Sequence, residues 1–227
     1  MTHQDDTIAA IATAPGRAAV AVIRLSGPDS LTLADRVFSH PRGTRLSRLP
    51  AGRFVRGAVG VPSSSGIPQG AAPKADPAED VIALVFRAPK SYTGEDVIEF
   101  QSHGGAVVAG RILRALTDAG ARIAEPGEFT RRAFLHGKMD LTQAEAVMDL
   151  ISADTEKAAD AALLQLKGNI SDSLARTYDS IISTCADLEA YIDFEEDEPH
   201  DLDRAAALDA LTEQRESLNA WLRTWTD

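Results

Sequence analysis

The apolar positions change their period once along the chain. Over the first 137 residues they alternate or come in short blocks broken by Gly and Pro, and after that they recur at helical spacing with few breaks. Two Ile/Val-rich blocks, 6–13 and 18–26, read as strands joined across Ala14-Pro15-Gly16-Arg17. Pro fixes φ there and Gly admits a positive one, so a hairpin is expected. Asp29 and Ser30 offer N-caps for a short helix through Phe38. The block RFVRGAVGV, ending at Val61, and DVIALVF read as the two strands of a second hairpin. Between them, PSSSGIPQGAAPKADPAED holds almost no large apolar group and is expected as a flexible surface loop. In DVIEF, alternation sends Ile98 and Phe100 to one face and Val97, Glu99 and Gln101 to the other. Val108, Ile112, Leu113 and Leu116 predict a helix from about Gly105 to Ala119, stopped by Gly120. A shorter helix covers Glu128 to Leu135 and ends at Gly137.

Past Lys138 the pattern is helical only. Thr142 with Glu145 fits the S/T-x-x-E capping box, so a new helix is expected to start just after Lys138. Apolar positions then run 148, 151, 159, 162, 166, 170, 174, 178, 181, 185, 188 and 192, too long a stripe for one ordinary helix. Ser152-Ala153-Asp154 is the expected break, and Cys185, on the stripe, is expected in the core. EEDEPHD at 195–201 reads as solvated surface, not as a metal site. From about Leu202, a final helix places Leu211, Leu218, Leu222 and Trp225 on one face. The pattern predicts an α+β domain over 1–137 followed by an all-α helical bundle domain over 138–227.

Composition adds limits. The net charge of -11 argues against holding nucleic acid by bulk electrostatics, so any RNA contact must come from a local patch or from sequence not given. A single cysteine cannot form an internal disulfide. No stretch approaches the ~20 apolar residues that span a bilayer, and a cytoplasmic protein without a membrane role is expected.

Familiar catalytic motifs are absent. GxGxxG, HExxH, CxxC and GxSxG do not occur. The nearest approach to a P-loop is HGKM at 136–139, where Arg132 replaces the first Gly and Met139 the Ser or Thr that would ligate magnesium. The chain as given is therefore expected neither to bind nor to hydrolyse GTP. Three charges do stand where an apolar residue would fit the pattern. Glu99 lies mid-strand, Arg24 shares a strand face with Val20 and Val22, and Lys138 follows Gly137 between two helix ends. A pocket, a buried Arg24–Glu99 pair and an exposed face all fit this pattern.

The segments DTIAAIATAPGRAAVAVIRLSG, SYTGEDVIEFQSHGG, EPGEFTRRAFLHGKMDLTQAEAVMDLI and DFEEDE resemble, in this order, the N-terminal half of the tRNA modification GTPase family known as MnmE or TrmE. Ala18 and Ala19 stand where the family usually has glycines, and Ser102 stands where a glycine usually precedes the His. The resemblance implies a tetrahydrofolate-binding-like α+β domain followed by the first part of a helical domain. The GTPase domain, with its GTP, magnesium and potassium, would follow beyond Asp227. It further implies that Arg24, Glu99 and Lys138 contact 5-formyl- or methylene-tetrahydrofolate, that no residue here is a catalyst, and that the chain forms a homodimer. Two small hairpins, too few strands for a self-sufficient sheet, add to that last expectation. The implied activity is modification of the wobble uridine of tRNA with a partner using FAD and NADH, of the MnmG type. A stand-alone folate-dependent methyl or aminomethyl transferase and a non-enzymatic dimer scaffold are the competing readings.

Overall fold

The computed structural model describes residues 6–60, 78–193 and 203–224. The chain forms two compact units, Met1–Met139 and Asp140–Asp227. The first is α+β, and the described residues of the second form helices without strands.

In the first unit the expected hairpins form. β1 (Ile8–Ile11) pairs antiparallel with β2 (Val20–Ser26), and β4 (Arg53–Val59) with β5 (Glu79–Phe86). They do not remain separate. β6 (Val97–His103) pairs with β2 on one side and β5 on the other. Two short strands, β3 (Phe38–Ser39) and β7 (Arg122–Ile123), complete one seven-stranded sheet in the order β3-β4-β5-β6-β2-β1-β7. Among the described residues only the β1–β7 pairing is parallel. The expectation that the chain has too few strands for its own sheet is thus corrected, and a homodimer cannot be argued from missing strands.

Alternation decides the two faces of this sheet. Ile23 and Leu25 of β2, Val81, Ala83 and Val85 of β5, and Ile98 and Phe100 of β6 turn inward and are buried. Over them pack α1 (Ser30–Val37) and α2 (Ala106–Asp118), the latter through Ala109, Ile112, Ala115 and Leu116. Neither expected cap of α1 acts through its side chain. Ser30 is the first helical residue and its hydroxyl donates to Asp96 O at 2.8 Å, while the Asp29 N–H donates to Thr7 Oγ1 at 2.9 Å. Ahead of α2, a Cβ on Gly104 would lie 1.9 Å from Ala18 O, so the β1–β2 hairpin packs on bare backbone there. The opposite, outer face carries Ala10, Val22, Arg24, Glu99, Gln101, Ile82, Leu84 and Phe54, and α3 (Glu128–Leu135) together with the 87–96 segment lies against part of it.

The helical unit contains α4 (Leu141–Ser152), α5 (Glu156–Leu166), α6 (Asn169–Asp193) and α7 (Arg204–Thr224). Its first cap differs from expectation. Asp140, not Thr142, caps α4, accepting from Gln143 N–H at 2.8 Å while the Gln143 side chain accepts from Asp140 N–H at 2.9 Å. Thr142 Oγ1 instead meets Asp140 Oδ1 at 2.7 Å and Ser171 Oγ at 2.9 Å. The break at 153–155 is present, and a second, unanticipated one falls at Lys167–Gly168. Cys185 is exposed, which corrects its expected place in the core. The inward face of α6 is rotated from the apolar stripe and carries Thr177 and Thr184, whereas Leu174, Tyr178 and Ile192 are exposed. Thr184 can line that face because its hydroxyl donates back to Ser180 O at 3.0 Å. Trp225, the 195–201 segment and nearly all of the expected 62–80 loop lie outside the described residues. Among the described residues no helix is long and apolar enough to cross a membrane, and no group of three or more His, Cys, Asp or Glu could hold a metal ion.

Candidate functional site

The site is built on one row of the outer sheet face. Antiparallel register sets Phe54 of β4 opposite Leu84 of β5, Leu84 opposite Glu99 of β6, and Glu99 opposite Arg24 of β2. Two charges that stood alone in the sequence are therefore cross-strand neighbours. Arg24 Nε donates to Glu99 Oε1 at 2.8 Å, with side chains 24% and 17% exposed. The Arg24 guanidinium also lies 5.0 Å from the centre of the Tyr92 ring and 5.5 Å from that of Phe129. Two rings near the guanidinium carbon and a carboxylate at its Nε hold the group in place. The Nη groups of Arg24 and Oε2 of Glu99 make no hydrogen bond among the described residues.

Tyr92 reaches this position from the 87–96 segment, which is pinned along its length. Arg87 Nη1 donates to Asp96 Oδ2 at 3.3 Å, Tyr92 OH meets Thr130 Oγ1 at 2.9 Å, and the Ser26 hydroxyl donates to Glu95 Oε2 at 2.6 Å. Lys138 joins here. Its ammonium donates to Pro89 O at 3.0 Å, and its stem lies against Gly94, where a Cβ would come within 3.3 Å of Lys138 Cγ and 3.0 Å of His136 Cβ. Gly94 at φ +81° permits that approach. His136 Nδ1 meets Thr93 O at 2.7 Å. The structure thus joins Arg24 to Glu99 directly and sets Lys138 against the segment that carries Tyr92, without a bond from Lys138 to either of the other two. HGKM follows α3 and not a strand, so its Lys sits in a helix-terminal turn.

Beneath the site is a cluster that pattern reading did not anticipate. Glu128 and Arg132, one helical turn apart on α3, are both buried and paired at 3.1 Å. Arg122 of β7 donates to Glu128 and to Asp6, each at 2.6 Å, and Arg132 donates to Asp6 Oδ1 at 2.6 Å and Glu95 Oε1 at 3.0 Å. Two arginines and three carboxylates therefore tie the start of β1, β7, α3 and the 87–96 segment together. The hydrogen bond from Arg122 holds the Asp6 carboxyl at about 2, with Arg132 adding to the effect against the opposing pull of burial. Burial pushes the Glu128 carboxyl up, but Arg122, the Glu125 N–H and Arg132 outweigh it and bring the group to about 2. No buried side-chain nitrogen or oxygen among the described residues lacks a partner. The legible signal for this cluster was the i, i+4 Glu128–Arg132 spacing on a helix of only eight residues.

Two family models match in succession. The first, described as "GTP-binding protein TrmE N-terminus", covers residues 7–138, and the second, "MnmE helical domain", covers 141–227. Among curated relatives, a tRNA modification GTPase MnmE of Salinibacter ruber is 45% identical over 222 residues, 98% of this chain and 45% of that protein. One of Bacillus licheniformis is 40% identical over 220 residues, 96% of this chain and 46% of that protein. One of Symbiobacterium thermophilum is 44% identical over 192 residues, 85% of this chain and 40% of that protein. The chain spans about half the length of the curated relatives it matches. Matched over nearly all its length by the two models in their order, the chain belongs to the MnmE/TrmE family of tRNA modification GTPases.

Proposed function

We propose that the first unit binds a reduced folate, 5-formyl- or methylene-tetrahydrofolate, at Arg24, Glu99 and Lys138. In this reading the folate is the one-carbon donor for aminomethyl-type modification of the wobble uridine of tRNA. The observation that carries the reading is the Arg24–Glu99 pair, which is held rigid on an accessible sheet face while keeping unused donors on Arg24 and an unused acceptor on Glu99. A reduced pterin offers a ring N–H beside an exocyclic amine, and Glu99 can accept from such a pair. Its carbonyl and carboxylate groups suit the Arg24 Nη donors and the Lys138 ammonium. The bound folate supplies the carbon at the formaldehyde or formate level, and this chain's residues bind and orient it.

The whole activity in this reading needs GTP hydrolysis with magnesium and potassium, a partner protein using FAD and NADH, and tRNA, in the cytoplasm. Titration calorimetry of this chain with 5-formyltetrahydrofolate tests the first step. Saturable binding, weakened several-fold by Lys138→Ala, is the expected result, and no heat at ligand concentrations up to the millimolar range would end the reading. The proposal includes a homodimer through the first unit, for which Ile11 and Val20, exposed at one end of the β1–β2 hairpin, offer an apolar contact. Sedimentation at tens of micromolar is expected to give twice the mass of the chain, 24.2 kDa; the mass of one chain would remove the dimer from the proposal.

A further inference from the structure

Between Asp35 and Asp76 the sequence carries six arginines, one lysine and no carboxylate, in a chain whose net charge is -11. Two of these arginines, Arg53 and Arg56, lie on β4, which is an edge strand for most of its length. β3 pairs only with Val59 and Ala58, so among the described residues no strand lies beside Arg53–Gly57. The sequence itself ends β3 there. Pro41 has no N–H with which to continue a ladder, and Gly43 N–H donates to His40 O at 2.8 Å to close a turn.

Alternation along β4 decides which backbone groups this edge offers. Gly60 N–H donates to Val37 O at 3.2 Å, on the side of β4 away from β5. Successive residues of a strand aim their N–H and C=O groups to opposite sides, and β4 pairs with β5 without interruption from Arg53 to Val59. Phe54 and Arg56 therefore turn their N–H and C=O groups to the open side, while Arg53, Val55 and Gly57 serve β5. Among the described residues no backbone outside the sheet bonds to Phe54 or Arg56.

The side chains divide between the two faces. Phe54, 74% exposed, and Arg56 stand on the outer face, and Arg53 and Val55 on the other. Arg53 is exposed and has no acidic partner among the described residues. Arg56 holds Asp80 at 3.1 Å, but both side chains are largely exposed, so the pair is weak and open to exchange. An extended peptide added to this edge meets both faces at once, because its own side chains alternate as those of β4 do.

We propose that the Arg53–Gly57 edge of β4 takes up an acidic extended peptide of a partner protein as an additional antiparallel strand. Opposite Arg56, Val55, Phe54 and Arg53 in turn, that peptide carries an acid, two apolar residues and a second acid. The N–H and C=O groups of Phe54 and Arg56 bond to its backbone, the Phe54 ring packs on the apolar residue facing it, and each arginine faces a carboxylate across the strands. A second copy of β4 is the poorer occupant, since it would crowd Arg53 and Arg56 of both copies onto one seam. The contact does not depend on the folate reading.

The test is NMR of the isotope-labelled 227-residue chain titrated with two synthetic peptides, acetyl-GEVFEG-amide and acetyl-GKVFKG-amide. Saturable shifts with the glutamate peptide are expected, together with slower hydrogen exchange at the Phe54 and Arg56 amides. The Val55 and Gly57 amides, already turned to β5, should change little. The lysine peptide should bind about tenfold more weakly or worse, and the Arg53→Glu, Arg56→Glu double variant should reverse the preference, losing about tenfold for the glutamate peptide. Each single reversal, with a loss of about threefold, keeps the test available if the double variant misfolds. No saturable binding up to the millimolar range, equal binding of the two peptides, or protection only at amides away from β4 would overturn the proposal. A dimer present in the parent chain and lost in the double variant would give the edge to a second copy and overturn it as well.

Discussion

Arg132→Ala should lower the unfolding free energy by about 3–5 kcal/mol, the range for breaking a buried ion pair from one side. Arg132 is buried and reaches Asp6, Glu95 and Glu128, so truncation takes a partner from all three and leaves Glu128, which has no exposure to water, with less compensation for its burial. Urea denaturation followed by circular dichroism measures the loss, and a change under about 1 kcal/mol would mean that Arg122 alone can neutralise the cluster. Acid offers a second readout with a definite sign. The folded-state pKa values of Asp6 and Glu128 lie near 2, below their ordinary 3.8 and 4.5, so both groups stabilise the fold fully above about pH 4.5. That contribution is lost progressively as pH falls from there toward 2. In Arg132→Ala one depressing partner is gone from each carboxylate, and the dependence of unfolding free energy on pH between 4.5 and 2 should be shallower than in the parent chain.

The second large effect concerns ligand affinity. Glu99→Ala should weaken 5-formyltetrahydrofolate binding about tenfold to a hundredfold, since a hydrogen bond to a charged group contributes roughly 1.5–3 kcal/mol. The Arg24–Glu99 pair complicates this, because either substitution also removes a partner from the other residue. A double-mutant cycle separates the two contributions. Both side chains keep some access to water, so the stability coupling between Arg24→Ala and Glu99→Ala should be on the order of 1 kcal/mol or less. The affinity losses should far exceed what that coupling can account for. If both single variants instead melt early, the double variant recovers, and folate affinity follows stability, the pair is structural and the ligand role fails. Unchanged affinity in Glu99→Ala would end the role outright.

The sheet was legible wherever side chains alternate over several residues, as in β2, β5 and β6, because alternation is imposed by the pleat itself. β3 and β7 are two residues long and carry no period to read. Arg24 and Glu99 could be singled out because a charge interrupts an apolar pattern, yet their contact depended on a register across 75 residues that local sequence does not encode. Tyr92 and Phe129 were missed for a related reason: an aromatic residue in a loop or on a short helix looks like core until the fold shows it against a guanidinium. In α6 apolar spacing misled outright. Threonines that satisfy their own hydroxyls took the inward positions, and the larger apolar groups were left outside, Cys185 with them.

Synthesis runs in one direction, and the parallel β1–β7 pairing makes the beginning of the chain wait for a distant part of it. Asp6 and Arg132 are separated by 126 residues, which a ribosome adding about 5–20 residues per second takes roughly 6–25 s to produce. Throughout that interval the β1–β2 hairpin can form but has an open edge where β7 will sit, and Asp6 has neither arginine. The nascent hairpin is therefore exposed to pairing with other chains until Arg122 and α3 leave the exit tunnel, and the arginine that secures the fold most strongly is among the last residues of the unit to arrive.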